Sequence, residues 1–317
     1  MARLSAMDLH LSQDAGTTVQ RTSARRALLV VNRHARRGTS DIHEICDFLA
    51  DHGVSCRIET VREGETVSDL IRAYRGQCDL VIVGGGDGTL NAAIDGLMET
   101  GLPLGVLPLG TANDFARTLG ITPDPLEAAR VIAAGHVGTI DLGEVNGHFF
   151  LNVASIGFSA ELARELTEHA KRRWGVLGYG IVAARLLFRS RLFTAWIEHD
   201  GVVEKVHTFQ VAVGNGKHYG GGMTVSETAA PDDGRLDFYS LEVDHWWRLL
   251  ALLPSLRRGT QGEWDDVRAF RTTELTIRTR RPRPVNTDGE LRTMTPATFR
   301  VRPRAIRVLR PMTTPTG

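Results

Sequence analysis

Lysine is nearly missing from this chain. Of the 38 basic residues among 317, only Lys171, Lys205 and Lys217 are lysines, and the rest are arginine. Net charge is just as scarce: 37 acidic residues leave +1 at pH 7, so no global field draws the protein to nucleic acid. Cys46, Cys56 and Cys78 form no Cys-x-x-Cys pair and are too few for a disulfide framework, which points to a reducing compartment. No apolar run approaches the roughly 20 residues that span a bilayer. Runs such as Leu249–Leu253 and Ile181–Ala184 are far shorter. The first two dozen residues lack the apolar stretch of a signal peptide and read as a flexible tail over 1–24. These absences describe a cytoplasmic protein with no transmembrane segment, free to lie against the inner face of a membrane. A homo-oligomer is compatible with them.

What is present is ordinary for a folded chain, with 42% hydrophobic and 24% charged residues. Residues 25–137 alternate strand and helix. Apolar runs at 27–31, 54–61, 79–83 and 104–108 are separated by helical periodicity at 41–51, 67–74 and 89–98. That alternation predicts a parallel sheet with helices on both faces. Near residue 138 the pattern changes. Strands at 139–144, 149–154, 193–199, 208–214, 236–243, 274–279 and 298–308 predict a β-rich sandwich over 138–310. Helical inserts near 159–190 and 244–258 interrupt it, and the chain end returns to the first domain.

The strongest local feature is Gly84-Gly85-Gly86-Asp87-Gly88-Thr89, between an apolar strand and a helix. Glycines there let the backbone approach phosphate oxygens, and the helix start offers free N–H groups. Asp87 is out of place beside a phosphate unless a divalent cation or a proton-transfer task accounts for it, and phosphoryl transfer supplies both. Neither a Walker A loop nor a GxGxxG fingerprint is present. A second loop, Pro108 to Ala116, follows the next strand, so both loops lie at the carboxyl ends of the sheet, where α/β proteins bind ligands. In it Thr111 offers a hydroxyl to a phosphate, while Asn113 or Asp114 suits a helix cap. A third piece, Asn286-Thr287-Asp288-Gly289-Glu290, reads alone as a hairpin turn.

Together, GGGDGTLNAAIDGL (84–97), LPLGTANDFARTLG (107–120), NVASIGFSAE (152–161), VGNGKHYGGGM (213–223), APDDGRLDFY (230–239) and VNTDGELRTMTPATF (285–299) resemble the diacylglycerol kinase catalytic-domain family. Within it the chain is most similar to YegS-like bacterial lipid kinases, relatives of the sphingosine kinases. The resemblance implies a nucleotide-binding α/β domain, a β-sandwich and an active site in the cleft between them. It implies transfer of the γ-phosphate of ATP, with Mg2+, to a lipid hydroxyl. The nucleotide contacts then fall on Asn32, Arg33 and Arg36, on Thr60, on Gly84 to Asn91 (Leu90 included), and on Thr111, with Asn113, Asp288 and Gly289 beside them. The proton acceptor falls on Glu290, or on Asp87 as in sphingosine kinases. A bound Mg2+ falls on the Asp233 side chain and the carbonyls of Ala230 and Arg235, with Asp87 serving the magnesium of the nucleotide. Oxygen ligands of this kind suit a hard cation.

The chain departs from the family pattern in three places. Arg33 stands where proline is usual, Ala92 where glutamate is common, and Ser159 where the family has aspartate. Ser159 cannot pair with an amine by charge, so a neutral glycerolipid, diacylglycerol-like or phosphatidylglycerol-like, is the better acceptor.

Lys171 to Arg191 holds six basic residues, no acid and interleaved aromatics, which suits either an anionic membrane interface or a core helix with a solvated face. His245 to Leu250 is a second candidate of that kind. The twelve arginines of 268–310 alternate with apolar residues in strands, so they read as a solvated sheet face and not as a nucleic-acid site. Two other readings remain: a kinase acting on NAD, and a nucleotide- or lipid-binding module without turnover.

Overall fold

A computed structural model describes residues 24–31, 39–169, 191–243 and 246–312. The Asn32–Arg36 loop, most of the basic 171–191 stretch and His245 therefore lie outside the described residues.

The first half is a parallel sheet of β1 (Arg25–Val31), β2 (Val54–Glu59), β3 (Leu80–Gly85) and β4 (Leu104–Pro108), in the order β2-β1-β3-β4. β3 and β4 are buried along their whole length, the result of helices on both faces. Those helices are α1 (Thr39–Asp51), α2 (Val67–Ala73), α3 (Asp87–Asn91), α4 (Ile94–Thr100), α5 (Asp114–Thr118) and α6 (Pro125–Ala134). Local chemistry sets their ends. Thr66 and Asp69 form a capping box on α2, and Asp124 caps α6 with Pro125 in its first turn.

The helix expected over 89–98 is broken into α3 and α4, and the cause is one hydroxyl. Ser68 Oγ donates to the Ala92 carbonyl at 2.7 Å and accepts from the Gly96 N–H at 3.0 Å. It stands between the two groups that would otherwise form an i to i−4 helix bond. Gly96 is required there, because a Cβ would sit 2.8 Å from the Ser68 carbonyl.

The second half is a sandwich. One layer is the antiparallel sheet β14-β13-β10-β7-β16-β17, made of β7 (Val153–Gly157), β10 (Gln210–Gly214), β13 (Leu236–Leu241), β14 (Val267–Thr272), β16 (Pro284–Thr287) and β17 (Glu290–Met294). The other layer continues the parallel sheet through β18 (Ala297–Leu309), β15 (Glu274–Thr279), β8 (Phe193–His199) and β9 (Val202–Thr208). β5 (Val137–Val145) pairs with β18 and with β6 (His148–Phe150). Phe150, Ile156, Val211, Phe238, Ile277, Val285 and Phe299 interdigitate between the layers. α7 (Phe158–His169) packs on the outer face of the six-stranded sheet beside β7 and β16, and α8 (Trp246–Arg258) packs near the small hairpin of β11 (His218–Tyr219) and β12 (Met223–Thr224).

β18 belongs to both halves. Ala297 and Phe299 pack in the sandwich, whereas Ile306, Val308 and Leu309 pack in the α/β core, and Val308 is aligned in parallel with Leu104 of β4. A bulge between Arg302 and Ile306 marks the crossing. There the buried Asp141 carboxylate accepts the N–H of Arg304 and that of Gly234, both at 2.7 Å. Among the described residues no helix is long and apolar enough to cross a membrane.

Candidate active site

The parallel register aligns Val31 with Gly84, Val30 with Glu59 and Gly85 with Pro108, so the loops after β2, β3 and β4 open on one edge. Thr60, Gly86 to Thr89 and Thr111 lie there, and Thr60, Gly88 and Thr111 are exposed.

The first two loops touch through bare backbone. A Cβ on Gly110 would lie 2.4 Å from the Gly86 Cα, and one on Gly85 would lie 2.7 Å from the Thr89 side chain. Glycine is therefore forced at these positions by close approach. Asn113, at φ 52°, turns its amide back onto Gly110: the Gly110 N–H donates to Oδ1 at 3.0 Å, and Nδ2 donates to the Gly110 carbonyl at 3.0 Å. Asn113 holds the N-cap position of α5, but its side chain makes no capping bond. Asp87 caps it from the neighbouring loop, accepting the N–H groups of Asp114 at 3.2 Å and Phe115 at 2.8 Å. A carboxylate at a helix start is stabilised by those free donors.

Asp114 is buried beneath this contact. It accepts from Arg117 and from the Gly221 N–H, both at 2.8 Å. Burial raises its pKa, the Gly221 N–H pulls it down, and the nearby Asp87 charge raises it again.

The third loop is fastened to the first. Asp288 stands at φ 48°, and its carboxylate accepts the N–H groups of Leu151 at 2.6 Å, Asn152 at 3.0 Å and Val153 at 3.1 Å. A fourth bond comes from Asn91 Nδ2 on α3, at 2.9 Å. Burial pushes the Asp288 pKa up to about 6 against the downward pull of those four donors. Asp288 thus works as an anchor between the α/β half and the sandwich. Asn152 closes the circuit: its backbone bonds Asp288, its Nδ2 reaches Asp87 at 3.4 Å, and its buried Oδ1 has no partner among the described residues. The residue lies inside one of the quoted motifs, but nothing in the one-dimensional pattern placed it between two carboxylates.

Glu290 opens β17 just beyond the anchor. It is exposed, its carboxylate pairs with Arg292, and its backbone carbonyl accepts from the Thr287 hydroxyl at 3.3 Å. It makes no hydrogen bond to Asp87 among the described residues.

The Ala230, Asp233 and Arg235 set is arranged differently from a metal site. Asp233 accepts the Arg235 N–H at 2.9 Å and is ion-paired with Arg271, which also reaches Asp237 at 3.3 Å. Burial pushes the Asp237 pKa up to about 6, with Arg271 opposing it. The Arg271 guanidinium holds the Asp233 carboxylate, so a cation there has to compete with it. Among the described residues no group of three or more His, Cys, Asp or Glu side chains is placed to hold a metal.

With this geometry in view, known proteins sort the chain clearly. Residues 26–145 match the diacylglycerol kinase catalytic domain, and residues 152–310 match the YegS C-terminal NAD kinase beta sandwich-like domain. A diacylglycerol kinase of Mycobacterium tuberculosis is 35% identical over 241 residues, covering 74% of this chain and 77% of that one. A diacylglycerol kinase of Bacillus subtilis is 31% identical over 257 residues, covering 80% and 84%. A solved diacylglycerol kinase structure from Bacillus anthracis superposes with a TM-score of 0.71 at 25% identity, covering 91% of this chain and 97% of that one. The chain belongs to the diacylglycerol kinase catalytic-domain family, in its YegS-like branch, and is a lipid kinase-like enzyme.

Proposed function

We propose that this enzyme transfers the γ-phosphoryl group of ATP to a hydroxyl of a neutral glycerolipid, working in the cytoplasm against a membrane surface. The observation that carries the reading is the joining of three loops at one edge: Asp87 onto α5, Asn91 onto Asp288, and Asn152 between them.

In this reading the nucleotide phosphates lie over Gly86 to Gly88, with Thr111 alongside. Bare backbone N–H groups there meet phosphate oxygens without steric cost. Magnesium accompanies the phosphates and supplies charge neutralisation when bound. This chain's nearest carboxylate for it is Asp87, whose main work is already the tie to α5. That commitment favours Glu290 as proton acceptor. The Asp87 oxygens are already taken up by three N–H groups, whereas Glu290 is held only by Arg292 at the exposed mouth. Asp288 fixes the turn, so Glu290 has a defined origin. Arg292 holds it until a substrate hydroxyl replaces that partner.

The acceptor is read as neutral because Ser159 is uncharged and already bonded to Gln210, Oγ to Oε1 at 2.5 Å. The test is a screen of lipids with labelled ATP, with and without Mg2+, run beside NAD. Phosphorylation of diacylglycerol or another neutral glycerolipid is expected. Transfer to NAD alone, or ATP hydrolysis indifferent to every lipid, would defeat the reading.

A further inference from the structure

We propose that β17, the edge strand of the six-stranded sheet, is the docking surface for an anionic lipid bilayer. The inference rests on the lipid-kinase reading and adds where such an enzyme meets its bilayer.

Register is the first argument. Asn286 lies opposite Leu291, Val285 opposite Thr293 and Pro284 opposite Met294, so Arg292 is an extra residue in a bulge. In a regular strand residues three apart point to opposite faces. The bulge brings Leu291 and Met294 to the same face instead, the one turned away from the sandwich core that holds Val285. Both stay in water, 38% and 47% exposed. Leu192 is also exposed. It precedes Phe193, over whose ring the Arg283 guanidinium sits at 4.2 Å, and Arg283 is tied to Thr295, the residue after Met294.

The charges around these side chains are the second argument. Arg280 and Arg281 are exposed on the turn before β16 and have no ion-pair partner among the described residues, and Arg292 is exposed in the bulge itself. Aliphatic side chains ringed by guanidinium groups suit an interface in which the apolar atoms reach the acyl boundary and the cations meet lipid phosphates.

The same charges disfavour other occupants. A second copy docked about a two-fold axis would set this positive rim against itself.

The experiment uses the whole chain, without nucleotide, sedimented with vesicles of phosphatidylglycerol and phosphatidylcholine or of phosphatidylcholine alone. The unaltered chain is expected to bind the anionic vesicles. L291S/M294S is expected to bind them about tenfold more weakly, from the lost apolar area, while keeping its melting temperature and its turnover of a short-chain diacylglycerol dispersed below aggregation. Equal binding by both chains overturns the proposal, as does no binding by either. A dimer in the unaltered chain that the variant dissociates, with vesicle binding unchanged, assigns the face to a second copy and also overturns it. Absence of turnover in both chains with the binding difference intact counts against the kinase reading and leaves the docking surface standing.

Discussion

Replacing Asp288 with asparagine tests the anchor most directly. The aspartate carboxyl is held by four N–H donors, yet burial sets its pKa near 6. An acid whose folded pKa is raised binds protons more tightly when folded, so its contribution to stability is full at low pH and declines as pH rises to the folded pKa. From the ordinary 3.8 to about 6 is roughly two pH units, or about 3 kcal/mol. The asparagine amide does not titrate. The difference in unfolding free energy, wild type minus D288N, is therefore expected to fall by about 2 of those 3 kcal/mol between pH 4 and pH 6.5 and then level off. Taking the difference cancels Asp114 and Asp237, whose raised pKa values appear in both chains. Urea unfolding across that window reads the trend, and a carbon-13 titration of the carboxyl resonances reads the group itself. A difference that rises with pH would mean that the N–H donors outweigh burial and that the carboxyl titrates below its ordinary value. The reasoning would then be wrong. An anchor that costs stability at neutral pH is one kept for position, so D288N is also expected to lose most of its turnover.

Two further substitutions separate roles at the mouth. E290Q is expected to lower kcat by about 10²–10⁴-fold with little change in the apparent KM for ATP, and a rate within threefold of wild type would remove Glu290 as the base. D87N is expected instead to weaken ATP binding and lower the melting temperature, because it disturbs the cap on α5; nucleotide titration and thermal unfolding read both effects. G110A forces the loops apart where Gly86 passes 2.4 Å from the would-be Cβ, with an expected stability loss of about 1–3 kcal/mol and loss of nucleotide binding; an unchanged ATP affinity would show that the contact is not part of the cradle.

The parallel half was legible because strands covered on both faces carry unbroken apolar runs, as β3 does. Two of the missed strands are of the opposite kind. β9 and β14 are half-exposed edge strands, Val202–Thr208 and Val267–Thr272, whose charged and polar residues dilute the signal. The break between α3 and α4 depends on a hydroxyl 24 residues upstream of the carbonyl it takes, which helical periodicity does not register. The glycine loops could be read from sequence because close approach leaves only one residue type. The work of their polar neighbours could not. Asp288 looked like a turn residue grouped with the nucleotide, and its role as an anchor arises from amides 135–137 positions away. Asp87 looked exposed to phosphate, and its bonds to α5 depend on a fold that brings two loops together.

The strand from Ala297 to Leu309 carries a mechanical consequence. Because its two ends are stitched into separate cores, the halves of the molecule are not bodies on a swivel. Swinging one away from the other would tear hydrogen bonds from β5 along nearly its whole length. Opening and shutting around substrates must come from the loops at the mouth and from slight twisting of one continuous sheet. For the same reason, neither half expressed without this segment would have a complete interior.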